Sequence, residues 1–386
     1  MSTMINLPSI LQIGAGAINE LPAILRSLSS TRPFLITDST MVKLGLVATI
    51  SNILEQQDIT LPVFSKVMPE PDEASILAAV NLVATDNYDS LIALGGGSAI
   101  DSAKAIALLA SHGGSMRDYK VPFQVIQQSI PVIAIPTTAG TGSECTRVTI
   151  ISDSNTSEKM LCMGPGLMPK AAIVDYELTL TAPFRITADT GIDALTHAIE
   201  AFVSKKSNLY SDQQAIAAMK LIAPNLLSAC LTPSKLAAKE AMMLGASLAG
   251  IAFSNASVGL VHGMSRPLGV HFHVPHGMSN AMLLPAITQF SLSGAPEKYA
   301  QCAVHMGLIS STQHIAECHT RLTQFLTTVN TILKVPMMSE FGIVKQAYEG
   351  LLETMANQAL ASGSVANNPN VPNKDTIIKL YRNIYA

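Results

Sequence analysis

Apolar runs in the first half of the chain alternate with stretches of helical periodicity. "PFLITD" (33–38) is a continuous apolar run closed by an acid and predicts a buried strand. "MVKLGLVATISNILEQQ" (41–57) carries apolar residues at helical spacing and predicts a helix. The pattern repeats, with a strand over "LPVFSKV" (61–67) and a helix over "PDEASILAAVNLVATDN" (71–87), which opens on Pro and acids. A strand, "SLIALGGG" (90–97), then runs into glycines. The helix "SAIDSAKAIALLAS" (98–111) follows with Ser98 as its expected N-cap, and "PVIAIPTT" (131–138) is another buried strand. This β-α-β-α-β order implies a parallel sheet covered by helices.

Beyond about Arg185 the pattern changes. Long Ala-, Leu- and Met-rich helical stretches follow one another, separated by "TP", "AP" and "RP" breaks, and strand signals become scarce. The expected architecture is α/β plus all-α, with an N-terminal parallel-sheet domain over 1–182 and a helical domain over 183–386. A length of 386 residues suits two domains better than one core.

Composition narrows the functional classes. Hydrophobic residues make up 48% and charged residues 13%, which excludes a disordered chain. Mean hydropathy is positive, yet no uninterrupted apolar run reaches the ~18 residues of a membrane span, so no membrane partner is expected. Net charge is −3 with Lys and Arg scattered, which leaves no basic stripe for nucleic acid. The five cysteines are far apart and form no C-x-x-C pair. The opening "MSTMINLPSI" lacks the pattern of a secretory signal. Both features lead to a cytoplasmic expectation.

Two glycine-bearing loops offer sites for a nucleotide. "LIALGGGSAIDSAK" (91–104) places three glycines between a buried strand and a helix start. Glycine lets backbone approach a ligand closely, and a helix N-terminus offers free N–H groups to a phosphate. The loop is neither a Walker A sequence nor a complete G-x-G-x-x-G, since Ile100 takes the third glycine's place. "PTTAGTGSE" (136–144) also follows a buried strand and offers the hydroxyls of Thr137, Thr138, Thr141 and Ser143. Asp38, at the end of an early strand, suits an adenosine ribose and would repel a 2′-phosphate. The sequence "DST" equally suits a helix cap at that position.

A metal site is drawn from the helical half. In "ADTGIDALTHAIEAF" (188–202), Asp193 and His197 share a helical face, with Glu200 a further candidate. "GLVHGMSRPLGVHFHVPHGMSN" (259–280) adds His262, His271, His273 and His276. His262 sits in a helical segment, Pro275 and Gly277 predict a turn around His276, and His271 and His273 alternate as in an extended segment. One carboxylate with three imidazoles suits Fe(II) or Zn(II). Spacing alone does not choose among the four histidines.

Taken together, "IGAGAINELPAIL" (13–25), "GGGSAIDSAKAIAL" (95–108), "PTTAGTGSE", "TGIDALTHAIEAF" (190–202), "GLVHGMSRPLG" (259–269) and "PHGMSNAMLLP" (275–285) resemble the iron-containing (group III) alcohol dehydrogenase family across nearly the whole chain. The resemblance implies a dehydroquinate-synthase-like fold, with a nucleotide-binding α/β domain and a helical metal-binding domain. It implies the metal ligands Asp193, His197, His262 and His276, leaving Glu200 and His271 aside. It implies an NAD cofactor held by Gly96, Gly97 and Ser98 at the pyrophosphate and by Asp38 at the ribose. Thr137, Thr138, Thr141 and Lys159 would lie toward the diphosphate and nicotinamide. The implied activity is a metal-dependent NAD(H) alcohol dehydrogenase or aldehyde reductase, in which a metal-bound alkoxide passes hydride to nicotinamide C4. A small alcohol or aldehyde substrate and a homodimer are likewise expected.

One position departs from the family pattern. Where many members carry a second histidine in H-x-x-x-H-P-L-G, this chain has Arg266, which cannot act as a base near neutral pH. Proton handling then falls to His273 or to water. Arg266 either recognises an anionic substrate group or pairs with a nearby acid. Two other readings of the chain are an NAD-using lyase or cyclase of the dehydroquinate-synthase type and a non-catalytic nucleotide- or metal-binding protein.

Overall fold

The computed structural model describes residues 2–156 and 158–385. The chain divides into two compact units, residues 4–182 and residues 183–386, the latter with the first three residues.

The first unit is built on a six-stranded parallel sheet. Its strands are β1 (Ile10–Ile13), β2 (Pro33–Ile36), β3 (Val63–Phe64), β4 (Ser90–Gly95), β5 (Val132–Pro136) and, after two strands outside this sheet, β8 (Ala171–Val174). They lie in the order β1-β8-β5-β4-β2-β3, and every neighbouring pair is parallel. The central strands are apolar on both faces because both faces are covered. Leu35, Ile92, Leu94, Ile133 and Ile135 pack with α1 (Leu21–Ser27) and α3 (Leu46–Glu55). The alternating residues Phe34, Ile36, Leu91, Ala93, Val132 and Ala134 pack with α4 (Glu73–Asp86) and α5 (Gly97–His112). Parallel pairing brings the carboxyl ends of β2, β4 and β5 to one edge, which delivers Asp38, Gly96 and Thr137 to the same side of the sheet.

Local chemistry revises several sequence expectations. The stretch 41–57 is two helices, α2 (Ser39–Lys43) and α3, because Gly45 takes a left-handed conformation (φ 78°) between them. The strand expected over 61–67 shrinks to β3, an edge strand paired only with β2. The α5 helix starts at Gly97 with Gly96 as its N-cap, so Ser98 is not the cap. An antiparallel hairpin of β6 (Val148–Ser152) and β7 (Lys159–Met163) adds to the expected elements, and both strands alternate buried and half-buried residues.

The second unit is helical throughout its described elements. It comprises α6 (Phe184–Val203), α7 (Leu209–Leu231), α8 (Leu236–Asn255), α9 (Leu260–Phe272), α10 (His276–Ser291), α11 (Pro296–His305), α12 (Ile315–Ile332), α13 (Lys345–Ala361) and α14 (Lys374–Ile384). From Ala188 onward the α6 helix is buried at every residue but Thr190, and it packs against α7, α8 and α10. By length and composition α7 and α8 could cross a bilayer. In this unit they pack on each other and on α6, in the manner of core helices. The expected turn around His276 and extended segment over 271–273 are not found. His276 begins α10 after Pro275, His271 lies within α9, and His273 caps α9 with a left-handed φ of 54°.

Candidate functional site

Three helices of the second unit bring a carboxylate and imidazoles together. Asp193 and His197 project from one face of α6, His262 comes from the first turn of α9, and His276 from the first residue of α10. Asp193 Oδ1 lies 3.4 Å from His262 Nε2, 3.8 Å from His276 Nε2 and 3.9 Å from His197 Nε2. Donor atoms 2.0–2.2 Å from a tetrahedral ion stand roughly 3.3–3.6 Å apart, so these spacings fit a divalent ion. Asp193, His262 and His276 form one mutually close group, while His197 approaches through His262, at 2.9 Å between the Nε2 atoms. The His197 ring stacks on Phe253 at 4.3 Å, which fixes its plane.

Electrostatics within the cluster favour a cation. Burial pushes the Asp193 carboxyl up, but His197, His276 and His262 outweigh it and hold the group well below the usual carboxylate range. Burial pushes the His262 imidazole down, but Glu200 and Asp193 outweigh it and raise it to about 9. A metal ion would displace that ring proton, since an imidazole binds metal as the neutral base.

Two residues complete the site in ways that spacing did not reveal. Glu200 Oε2 lies 2.6 Å from His262 Nδ1, and its Oε1 accepts the Val261 N–H at 2.7 Å. A carboxylate behind Nδ1 fixes the tautomer that leaves Nε2 free to coordinate. Glu200 is therefore not among the converging donors, and the i, i+4, i+7 series Asp193–His197–Glu200 on α6 was its signal. Asn280, one turn beyond His276 on α10, donates from Nδ2 to Asp193 Oδ1 at 2.6 Å and sits 3.2 Å from both His262 Nε2 and His276 Nε2.

The remaining candidates in this unit lie apart from the donors. His271 Nε2 pairs with Gln358 Oε1 at 2.8 Å. His273 is exposed, and no hydrogen bond ties its ring to the cluster among the described residues. Arg266 stands one turn beyond His262 on α9 and is only partly exposed.

The first unit presents the glycine loops at the carboxyl edge of its sheet. A Cβ on Gly97 would fall 3.0 Å from Thr141 Cγ2, so the two loops touch where that glycine lies. Thr137 N–H donates to Gly95 O at 3.0 Å, and the buried Thr138 Oγ1 has no hydrogen-bond partner. Glycine backbone at the N-terminus of α5, beside an unsatisfied hydroxyl, fits a phosphate-bearing ligand. Asp38 does cap α2, its Oδ1 accepting from Thr40 N–H at 2.7 Å and Met41 N–H at 3.2 Å. Its Oδ2 makes no hydrogen bond among the described residues and faces Gly95, 3.5 Å from where a Cβ there would stand. The two readings of Asp38 are therefore compatible, one for each oxygen. The Ser98 hydroxyl donates to Pro69 O, and Lys159 pairs with the adjacent Glu70 at 3.1 Å.

The "PTTAGTGSE" loop is anchored by two residues of α5 that no motif marks. Lys104 is buried, and its Nζ donates to Ser143 O at 2.7 Å, Val148 O at 2.8 Å and Thr146 O at 2.9 Å. Asp101 Oδ1 accepts the Ser143 hydroxyl at 2.6 Å, and its Oδ2 accepts the Ile150 N–H at 2.9 Å. Burial, only partly offset by Asp101 and Glu144, lowers the Lys104 pKa to about 8.

A parallel-sheet unit whose glycine-rich loop could receive a phosphate, followed by a helical unit with a carboxylate–imidazole cluster, fits a nucleotide- and metal-using class of enzyme. Residues 8–176 match the family described as iron-containing alcohol dehydrogenase, and residues 187–385 match the C-terminal part of that family. The chain is 33% identical over 378 residues to an NAD-dependent methanol dehydrogenase of Bacillus methanolicus, covering 98% of both. It is 37% identical over 355 residues to long-chain-alcohol dehydrogenase 1 of Geobacillus thermodenitrificans, covering 91% of this chain and 89% of that one. A solved 1,3-propanediol oxidoreductase superposes with a TM-score of 0.95 at 31% identity, covering all of both chains. The chain belongs to the iron-containing alcohol dehydrogenase family. Its activity is that of an alcohol dehydrogenase, and the lyase and non-catalytic readings are not favoured.

Proposed function

We propose that this chain is an NAD(H)-dependent alcohol dehydrogenase or aldehyde reductase whose divalent metal, Fe(II) or Zn(II), is held by Asp193, His197, His262 and His276. The observation that carries this is the convergence of Asp193 Oδ1 with three Nε2 atoms at 3.4–3.9 Å. When bound, the ion supplies Lewis acidity toward an alcohol or carbonyl oxygen, and NAD supplies the hydride acceptor. Glu200 orients His262, and Asn280 holds Asp193. Gly96, Gly97 and the N-terminal amides of α5 receive the pyrophosphate, with Ser98 held beside them by Pro69. The free oxygen of Asp38 accepts a ribose hydroxyl and repels a 2′-phosphate. Thr137, Thr138 and Thr141 line the same loop pair, and Lys159 stands on the β6–β7 hairpin beside Glu70. His273, exposed at the end of α9, takes the alcohol proton through solvent, since Arg266 stays charged.

The proposal places the working domains at 1–182 and 183–386. It further places a homodimer in a cytoplasmic, reducing setting, which the five free, buried cysteines support. Anaerobic purification with metal analysis, followed by NADH formation from a panel of primary alcohols, tests the reading. The expected result is stoichiometric iron or zinc and turnover that disappears on chelation. Full turnover in metal-free protein would overturn it.

A further inference from the structure

We infer that Arg266 is the anion receptor of the substrate site, so that the preferred substrate is a small alcohol or aldehyde carrying a carboxylate-type group. The inference rests on the dehydrogenase reading above and names the substrate class of that same site.

Arg266 is a largely buried cation with no carboxylate at ion-pair distance among the described residues. Arg117, Arg185, Arg321 and Arg382 each have such a partner. Its hydrogen bond from Nη1 to Ser362 O is long, at 3.4 Å, and its buried Nε has no acceptor among the described residues. The nearby acid is Glu200, whose two oxygens already serve Val261 N–H and His262 Nδ1. Pairing with an acid, the structural alternative for this residue, is therefore not what the fold provides.

A buried charge that lacks a partner is costly, and the cost is recovered when an anion arrives. Position fits this use. Arg266 lies four residues after His262 on α9, so the two share a helical face. The planar fork of a guanidinium suits a carboxylate, which it can bind through two parallel hydrogen bonds. The charge count agrees as well. Asp193 and Glu200 offset a divalent ion in the cluster, and the guanidinium charge is left over. A neutral alcohol would leave that charge uncompensated, and a substrate with a terminal carboxylate would neutralise it.

The test compares butanal with 4-oxobutanoate, which carries a carboxylate in place of the terminal methyl group. The metal-loaded enzyme with NADH is used throughout. The wild type should prefer 4-oxobutanoate in kcat/KM. Arg266→Gln should lower that value roughly 10- to 100-fold, mainly through KM, while butanal changes by less than about threefold. Arg266→Lys, which keeps the charge and loses the fork, should fall between. A second readout is independent of turnover: butanoate should raise the melting temperature of the wild type more than butanamide does, and Arg266→Gln should abolish the difference. Equal losses on both aldehydes, or a butanoate effect that survives in Arg266→Gln, would overturn the inference while leaving the dehydrogenase reading intact. Weakened NADH binding in Arg266→Gln would assign the arginine to a cofactor phosphate and overturn it as well. Absence of turnover with every alcohol and aldehyde would instead sink the dehydrogenase reading, and the melting comparison would still decide the role of Arg266.

Discussion

The Nε2 atoms of His197 and His262 face each other at 2.9 Å inside a buried cluster that also contains Asp193. Two imidazole nitrogens at that distance need a proton on one of them or a shared cation. Metal loading should therefore release protons and stabilise the fold, by about 2.7 kcal/mol when free metal is 100 times its Kd. Calorimetry with and without iron or zinc, alongside pH-stat titration, measures both effects. Asp193→Asn and His262→Ala should lose the stabilisation together with the bound metal. A wild type whose melting temperature ignores both ions would remove the cluster from consideration as a metal site.

Glu200 should matter for metal binding without touching the metal. Glu200→Gln keeps an oxygen for the Val261 N–H but replaces the charged partner of His262 Nδ1. The expected outcome is metal affinity weakened roughly 10- to 100-fold, with the helical content unchanged. Competition with a chromophoric chelator gives the number, and unchanged affinity would show that the ring needs no such support.

Asp38 divides two jobs between its oxygens, and two substitutions separate them. Asp38→Asn retains a good N-cap for α2 but removes the charge. It should raise NADP use relative to NAD with little loss of stability. Asp38→Ala should shift the cofactor ratio similarly and also lose about 1 kcal/mol from the missing cap. Ratios of kcat/KM for the two cofactors, with urea melts, check both; an unchanged ratio in both variants would take Asp38 out of the cofactor site.

Lys104 gives the first unit a pH signature. Its pKa in the folded chain falls from 10.5 to about 8. Below pH 8 both folded and unfolded chains carry the proton. Between about pH 8 and pH 10.5 the unfolded chain holds more of it, so this residue's contribution to stability rises with pH. Lys104→Met should destabilise at pH 7 by about 3–5 kcal/mol, because half-buried Asp101 and three carbonyls lose their cation. The gap between wild type and variant should widen from pH 8 to pH 10 in denaturant titrations. A gap that narrows with pH would contradict the assigned sign.

Gly277 lets α10 lie close to α6. A Cβ there would stand 2.6 Å from the Asp189 carbonyl oxygen, a backbone atom that cannot swing aside. Gly277→Ala should push back the turn that carries His276, at a cost of about 1–3 kcal/mol. Metal occupancy should fall along with melting temperature. If a crystal structure of the variant kept His276 in place with full occupancy, α10 would be softer than this contact implies.

The layered halves were legible because buried parallel strands and Ala-rich helices leave different periodicities. The hairpin β6–β7 is not legible in the residue types because burial and polarity do not alternate together: Thr149 is buried while Val148 and Ile150 are half-buried. The split at Gly45 and the start of α5 at Gly97 depend on backbone conformation, which side-chain periodicity does not report. At the cluster, i, i+4 spacing placed Asp193 and His197 on one face, but which histidines joined them depended on the packing of α9 and α10. Spacing made His271 and His273 look like neighbours on one side of a strand, whereas one ends up within a helix and the other at its left-handed cap. Spacing offered Glu200 as a candidate but not its part, and it gave no sign of Asn280: both act toward other side chains, and only the assembled fold shows which ones.

The four converging side chains differ in their access to water. His276 is 41% exposed at its side chain, while Asp193, His197 and His262 are between 2% and 5%. For an ion held by this set, His276 would be the ligand that water and competing chelators reach first, while the other three would be shielded. Access to the metal would then be a property of the first turn of α10, separable from how tightly the other three ligands bind.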